Sequence, residues 1–216
     1  MRLVNLTKTS LIEYTINQIS NFFPSENKEL KKIIEKNIDE SLNRLRICIN
    51  SIRCWNENEF NYLQSSQYCT YLYFLANTIW KNNGNEEVCT KLFLLNKALN
   101  GIDCFYEIEL PEKFYIPHTI GVVLAKATYS NNFVIYQNST VGKNHGIAPI
   151  IGERVVMYPN TAIIGRSNIG HGTILAQGTR VVNKNCYGNS VVFNSNKSEI
   201  INKPLKRNII TDIFKI

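Results

Sequence analysis

The stretch IGERVVMYPNTAIIGRSNIGHGTILAQGTRVVNKNCYGNSVVF, residues 151 to 193, carries a bulky residue at every sixth position: Ile151, Met157, Ile163, Ile169, Leu175, Val181, Tyr187 and Phe193. An α-helix returns a face about every 3.6 residues and a strand every two, so a period of six requires a chain that turns a corner once per repeat. Four residues after each bulky position come small, β-branched or turn-forming residues: Val155, Thr161, Ser167, Thr173, Thr179, Asn185 and Val191. One residue after it, Gly152, Gly170, Ala176 and Gly188 let the backbone pass close. The pattern is that of a solenoid with short strands as flat faces, each coil burying its apolar row against its neighbours.

Working upstream, the same period recurs at Val123, Tyr129, Ile135 and Val141. It then breaks, because Val141 and Ile151 are ten residues apart. The segment GKNHGIAPI, residues 142 to 150, is therefore expected to leave the solenoid as a loop carrying His145. Such loops on a rigid scaffold are where binding and catalytic groups gather. His171 falls within a regular coil and reads as a solvated surface residue. Downstream of Phe193, Asn194 to Ser198 reads as a polar turn. The tail IINKPLKRNIITDIFKI is expected to cap the open end of the solenoid.

Residues 1 to 100 read as helices. Ser10 and Glu13 have capping-box spacing ahead of Ile12, Ile16 and Ile19, and Pro24 stops that segment. A second helix is expected from Ser25 and Glu26, carrying Leu30, Ile33, Ile34, Ile38, Leu42, Leu45 and Ile49 on one face. A third, from Glu59 to Trp80, is so rich in aromatic residues that burial on more than one side is expected. Asn82-Asn83-Gly84-Asn85 ends it, and a fourth helix spans Glu86 to Leu99. The domain organisation that follows is a helical region over 1–100, coils over 101–193 and a tail over 194–216.

Composition sets bounds on function. The 216 residues are 44% hydrophobic, with a formal charge of +7. No run approaches the length of a membrane span, and MRLVNLTKTS lacks the apolar core of a secretory signal, so a cytoplasmic protein is expected. The six cysteines form no CxxC pair and read as buried free thiols, with no metal framework. The positive charge suits an acidic partner. Its dispersal, with one modest cluster at Lys203, Lys206 and Arg207, fits a phosphate-bearing small molecule better than nucleic acid.

Between helices and coils, Asp103 and His118 lie fifteen residues apart, near the length of one coil of three hexads. Wrapping can therefore bring them close. A carboxylate on one imidazole nitrogen fixes the tautomer and leaves the other nitrogen as a base. Cys104 adjoins Asp103, but neighbours in an extended chain point to opposite faces, which argues against an acyl-cysteine intermediate.

These residues carry a resemblance. The chain resembles the hexapeptide-repeat acyltransferases, and among them the serine acetyltransferase-like branch, in its order of helices first and coils second. Gly101-Ile102-Asp103, followed fifteen residues later by His118-Thr-Ile-Gly-Val-Val, matches that branch's catalytic segment. Gly165-Arg-Ser-Asn-Ile-Gly and Leu175-Ala-Gln-Gly-Thr-Arg-Val-Val look like the coils that line its acetyl-CoA groove. The resemblance implies an α+β fold: an N-terminal α-helical region followed by a left-handed parallel β-helix. It also implies an acetyl-CoA-dependent O-acetyltransferase with His118 as base, Asp103 orienting it, and His145 as a second histidine. Backbone groups around Ala162, Gly165, Ala176 and Gly178 would contact the pantetheine arm, and Lys203, Lys206 or Arg207 the nucleotide phosphates. The assembly implied is a homotrimer or a dimer of trimers.

The acceptor is the open point. Serine acetyltransferases have an aspartate immediately before the catalytic histidine, where this chain has Pro117. A free amino acid needs a carboxylate for its ammonium, and only Glu107 and Glu109 are nearby in sequence. The expectation is therefore a sugar hydroxyl, as on a capsular or other surface polysaccharide, with L-serine as the alternative acceptor. A non-catalytic scaffold is the third reading.

Overall fold

The hexads form the sides of a three-sided parallel β-helix, seen in a computed structural model that describes residues 1–24, 29–197 and 199–216. The first face stacks Asp103–Cys104, Val123–Leu124, Thr140–Gly142, Ala162–Ile164 and Arg180–Val182 in parallel. The second stacks Thr128–Tyr129, Ile150–Ile151 and Asn168–Ile169, with Cys186 bridged to Ile169. The third stacks Phe114–Tyr115, Phe133–Ile135, Val156–Met157, Ile174–Leu175 and Ser190–Asn194. This is the solenoid that the sequence period and the resemblance led us to expect.

From Ile151 to Val181 the bulky row is buried, and Val155, Thr161, Ser167, Thr173 and Thr179 are buried with it. Three positions depart from the expected register. Tyr187 is 78% exposed while Cys186 takes the inward place, and at the next turn Val192 is buried in place of Phe193. Upstream, Leu124 is inward and Val123 is outward. Two corners are one residue shorter than the regular hexad, from Leu124 to Tyr129 and from Val181 to Cys186, and the second slip carries through to Val192, six residues on. Between the coils, Gly152, Gly170 and Gly188 form one corner column. A Cβ on Gly170 would stand 2.4 Å from Gly188 N, so only glycine permits this stacking.

The helical region comprises α1 (Lys8–Phe22), α2 (Leu30–Ser51), α3 (Ser65–Lys81) and α4 (Glu86–Asn100). α1 begins before the expected Ser10 cap: Thr7 is the N-cap, and it exchanges hydrogen bonds with Ser10 in a capping box. The expected start of the second helix at Ser25 and Glu26 lies outside the described residues. Glu59–Phe60 is not helical, because it pairs as a short strand with Arg2–Leu3, and α3 starts six residues later behind a Gln64 cap. α4 runs from an Asn85 cap to Gly101, whose φ of 64° ends it in the left-handed region.

α3 caps the solenoid. From Ser66 to Ile79 every residue is buried, polar ones included. Those polar groups serve the first coil, which has no coil above it to bond. Tyr73 Oη donates to Ile108 O at 2.7 Å and accepts from Leu110 N at 2.9 Å. Asn77 Nδ2 donates to Tyr106 O, and Ser66 Oγ to Pro117 O, both at 2.7 Å. Buried backbone groups must find partners, and here a helix supplies them.

The tail closes the other end. Ile200–Pro204 pairs antiparallel with Ser190–Asn194. The chain then returns to α2 through a short helix, α5 (Ile210–Ile213), where Arg53 N bonds Ile213 O and Lys215 N bonds Ser51 O, each at 2.8 Å. Phe214 is fully buried there. Among the described residues, no helix is long and apolar enough to cross a membrane.

Candidate active site

Asp103 and His118 belong to the same coil. Asp103 lies on the first face, paired with Val123. His118 lies at the corner leading from the third face back to the first. Two bonds tie that corner to the Asp103 segment: Thr119 Oγ1 donates to Asn100 O at 2.6 Å, and Gly121 N to Gly101 O at 2.9 Å. The imidazole is exposed, and the Asp103 side chain is half-buried. Among the described residues no hydrogen bond joins the two side chains. Instead Lys97, in the last turn of α4, donates to Asp103 Oδ2 at 2.7 Å. The sequence reading missed Lys97, although its position six residues before Asp103, at a basic helix terminus, was the available signal.

Cys104 points into the core, as alternation requires, and burial pushes its thiol well above the ordinary range. A buried, protonated thiol is no nucleophile.

Beside His118 stands Tyr136, with ring centroids 6.3 Å apart, and Tyr136 stacks on Tyr158 at 5.4 Å. Burial, and then the neighbouring Tyr158, raise the Tyr136 hydroxyl above its usual range. These residues occupy one corner row across successive coils: His118, Tyr136, Tyr158, Ala176. The sequence reading did not single out the tyrosines. Beyond them opens a cleft of about 600 Å³ lined by Tyr158, Ala176, Phe193, Lys203, Lys206 and Arg207 among others. Lys203 Nζ sits 5.2 Å above the Phe193 ring.

The remaining expected residues are dispersed. Gly178 shares the corner of Ala176, with φ of 78°. Ala162 lies outward on the first face. Gly165 lies at a different corner, against the inserted segment, where its Cβ would meet Asn144 at 2.7 Å. Within one chain, then, Gly165 does not line the cleft that contains Ala176 and the three tail cations. His145 is exposed, with φ of 48°, in the segment between Gly142 and Ile150. His171 is exposed but engaged, its Nδ1 accepting from Glu153 N at 3.0 Å. Glu107 and Glu109 are each ion-paired, with Lys126 at 3.1 Å and Lys81 at 2.5 Å. Among the described residues, no group of acidic, histidine and cysteine side chains is arranged to hold a metal ion.

No protein-family model matches the chain, and no curated protein does. Solved structures do. The serine acetyltransferase of Brucella abortus strain S19 is 18% identical, with a TM-score of 0.69 over 90% of this chain and 85% of that one. The Neisseria gonorrhoeae serine acetyltransferase in complex with serine is 17% identical, with a TM-score of 0.70 over 91% of this chain and 84% of that one. A serine acetyltransferase in complex with CoA is 15% identical, with a TM-score of 0.69 over 89% of this chain and 83% of that one. At such identities the likeness establishes architecture, and the architecture it establishes, helices followed by a parallel β-helix, is that of the serine acetyltransferases.

Proposed function

We propose that this chain is an acetyl-CoA-dependent O-acetyltransferase. One observation carries the reading: the corner row from His118 through Tyr136 and Tyr158 to Ala176 leads to a cleft with three cations at its far end. From the coil of His118 to the coil of Phe193 there are four coil spacings, about 19 Å at roughly 4.8 Å each. An extended pantetheine arm with its thioester at His118 would put its phosphates near Lys203, Lys206 and Arg207. The likeness to a structure in complex with CoA supports the same assignment.

In this reading His118 removes the proton of the acceptor hydroxyl. Acetyl-CoA supplies the thioester carbonyl that the resulting oxygen attacks, and the imidazolium returns the proton to the departing sulfur. Asp103 holds the imidazolium once its carboxylate is shared between Lys97 and His118. General-base help of this kind contributes about 10²- to 10⁴-fold. His145 is the second histidine of the proposal, delivered by the inserted segment.

L-serine is the acceptor we favour. Pro117 had pointed to a sugar, but the solved structures reported above that resemble this chain are serine acetyltransferases, one of them in complex with serine. A sugar hydroxyl stays as the second reading on two observations. Glu107 and Glu109 are already ion-paired, and the Tyr136–Tyr158 stack offers an aromatic face beside His118.

The first face supports self-association. Val123, Ala125, Thr140, Gly142, Ala162, Ile164 and Val182 form an outward strip of small and apolar residues, with Val123 40% and Val182 47% exposed. A trimer in which this strip meets a second copy would bury it and bring a neighbour's residues beside Asp103. Scattering-derived mass of the purified protein and of Val123→Glu tests this, with a trimer expected for the former and a smaller species for the latter.

The functional test is release of free CoA from acetyl-CoA with L-serine and, in parallel, bacterial surface polysaccharides. Turnover with serine is expected. Turnover with a glycan alone moves the assignment to the sugar reading, and failure to bind acetyl-CoA at all overturns the enzyme in favour of a scaffold.

A further inference from the structure

We propose that the cleft beneath the C-terminal strap, the stretch 205–209 that leads from Ile200–Pro204 to α5, at the corner of Arg154, is a binding site for a small oxyanion of the phosphate or sulfate class. The cleft measures about 220 Å³ and is lined by Arg154, Gly172, Asn189, Lys206, Arg207 and Asn208, with Leu205, Ile174 and Ile210 as its apolar floor. It adjoins the groove described above, with which it shares Ile174, Leu205, Lys206 and Arg207.

Arg154 carries the argument. Its corner column is otherwise built from Asn132, Gly172 and Asn189, with φ values of 62°, 69° and 51°. Asparagine and glycine tolerate that left-handed conformation, whereas an arginine held there, at φ 58°, is disfavoured. Its Nε is buried and, among the described residues, has no hydrogen-bond partner. A buried donor left unpaired is costly, and the terminal nitrogens of the same guanidinium, which have no hydrogen-bond partner among the described residues, can give an oxyanion in the cleft charge-assisted bonds. Of the other cations, Arg207 is already held by both Asp212 oxygens, at 2.9 and 2.8 Å. Lys206 has no ion pair among the described residues, so two cations without a carboxylate face one cleft. The positive charge of the whole chain favours anion entry.

Bound there, the anion joins the corner of the third coil to the strap, and so fixes one wall of the neighbouring groove. The anion has two possible sources: a free inorganic ion, or the terminal phosphate of a larger molecule lying across the strap.

The test reads melting temperature and is independent of acetyl transfer. Inorganic phosphate, titrated against sodium chloride at matched ionic strength, is expected to raise Tm of the full chain saturably, by several degrees at about a hundredfold excess over Kd. Arg154→Asn is expected to remove that increment while raising Tm in phosphate-free buffer, because asparagine suits the corner. Arg154→Lys keeps the charge and should weaken binding about tenfold or more, having lost the fork geometry. CoA and 3′-dephospho-CoA as further ligands distinguish the sources, since only the former carries the terminal phosphate. The proposal is overturned if chloride stabilises as well as phosphate, or if Arg154→Asn keeps the full phosphate increment.

Discussion

Lys97 Nζ stands 2.7 Å from Asp103 Oδ2, so the carboxylate expected to orient His118 is held in this chain by the last turn of α4. Both partners are substantially exposed, and such a pair contributes no more than about 1 kcal/mol. It is weak enough to be shared with an imidazolium when one forms.

His118→Ala is therefore expected to cost about a hundredfold or more in acetyl transfer while leaving the fold intact, because the side chain is exposed. Asp103→Asn should cost less, and Lys97→Met less than about tenfold in either direction. Steady-state kinetics of the three variants checks the order. A His118→Ala protein with undiminished turnover would remove the base from the mechanism.

The glycine column makes a stability prediction. Gly170→Ala puts a methyl group 2.4 Å from Gly188 N and 2.8 Å from its Cα, and backbone cannot step aside as a side chain can. The cost should be about 1–3 kcal/mol, visible as a lowered Tm. Gly178→Ala meets no atom within 4 Å and pays only for its φ of 78°, about 1 kcal/mol. Equal melting of the two alanine variants would contradict this account of the corner.

The cap supplied by α3 can be tested at Tyr73, whose hydroxyl both donates to Ile108 O and accepts from Leu110 N. Tyr73→Phe leaves both backbone groups buried without that partner, at about 1–3 kcal/mol each. Urea unfolding should show the loss as a lower midpoint with an unchanged slope.

The thiols divide five to one. Cys48, Cys69, Cys89, Cys104 and Cys186 are buried and Cys54 is exposed, 3.3 Å from Tyr115 Oη. The expectation that all six are buried thus fails at Cys54, which follows the end of α2. Burial pushes the Cys48 and Cys69 thiols from 9.0 up to about 12, so at pH 8 they are protonated and inert. A thiol reagent should titrate one cysteine rapidly in the native protein and all six in denaturant. The same shift has a stability consequence. The unfolded thiols ionise first, so the stability they contribute is fully present below pH 9 and is lost as pH rises from about 9 to about 12.

Much of this molecule was legible along the chain, for a physical reason. In a solenoid each coil contacts only its neighbours, so burial is written locally, and the rows from Ile151 to Val181 could be read at a fixed interval. The columns of Gly152, Gly170 and Gly188 were legible likewise, since close approach repeats with the coil. The slips at Val123, Tyr187 and Phe193 were not, because a corner one residue longer or shorter moves the next side chain outward without altering composition.

The sequence by itself determined the repeat, the order of helices before coils, and the placing of Asp103 and His118 on one coil. Tertiary structure alone decided which groups meet across segments distant in sequence. It sent the polar side chains of α3 to the first coil, Lys97 to Asp103, and the tail from the last coil back to α2. None of these pairings recurs with the period of six. Each arises where the repeat ends, because there the solenoid's exposed backbone and charged groups must find partners outside it.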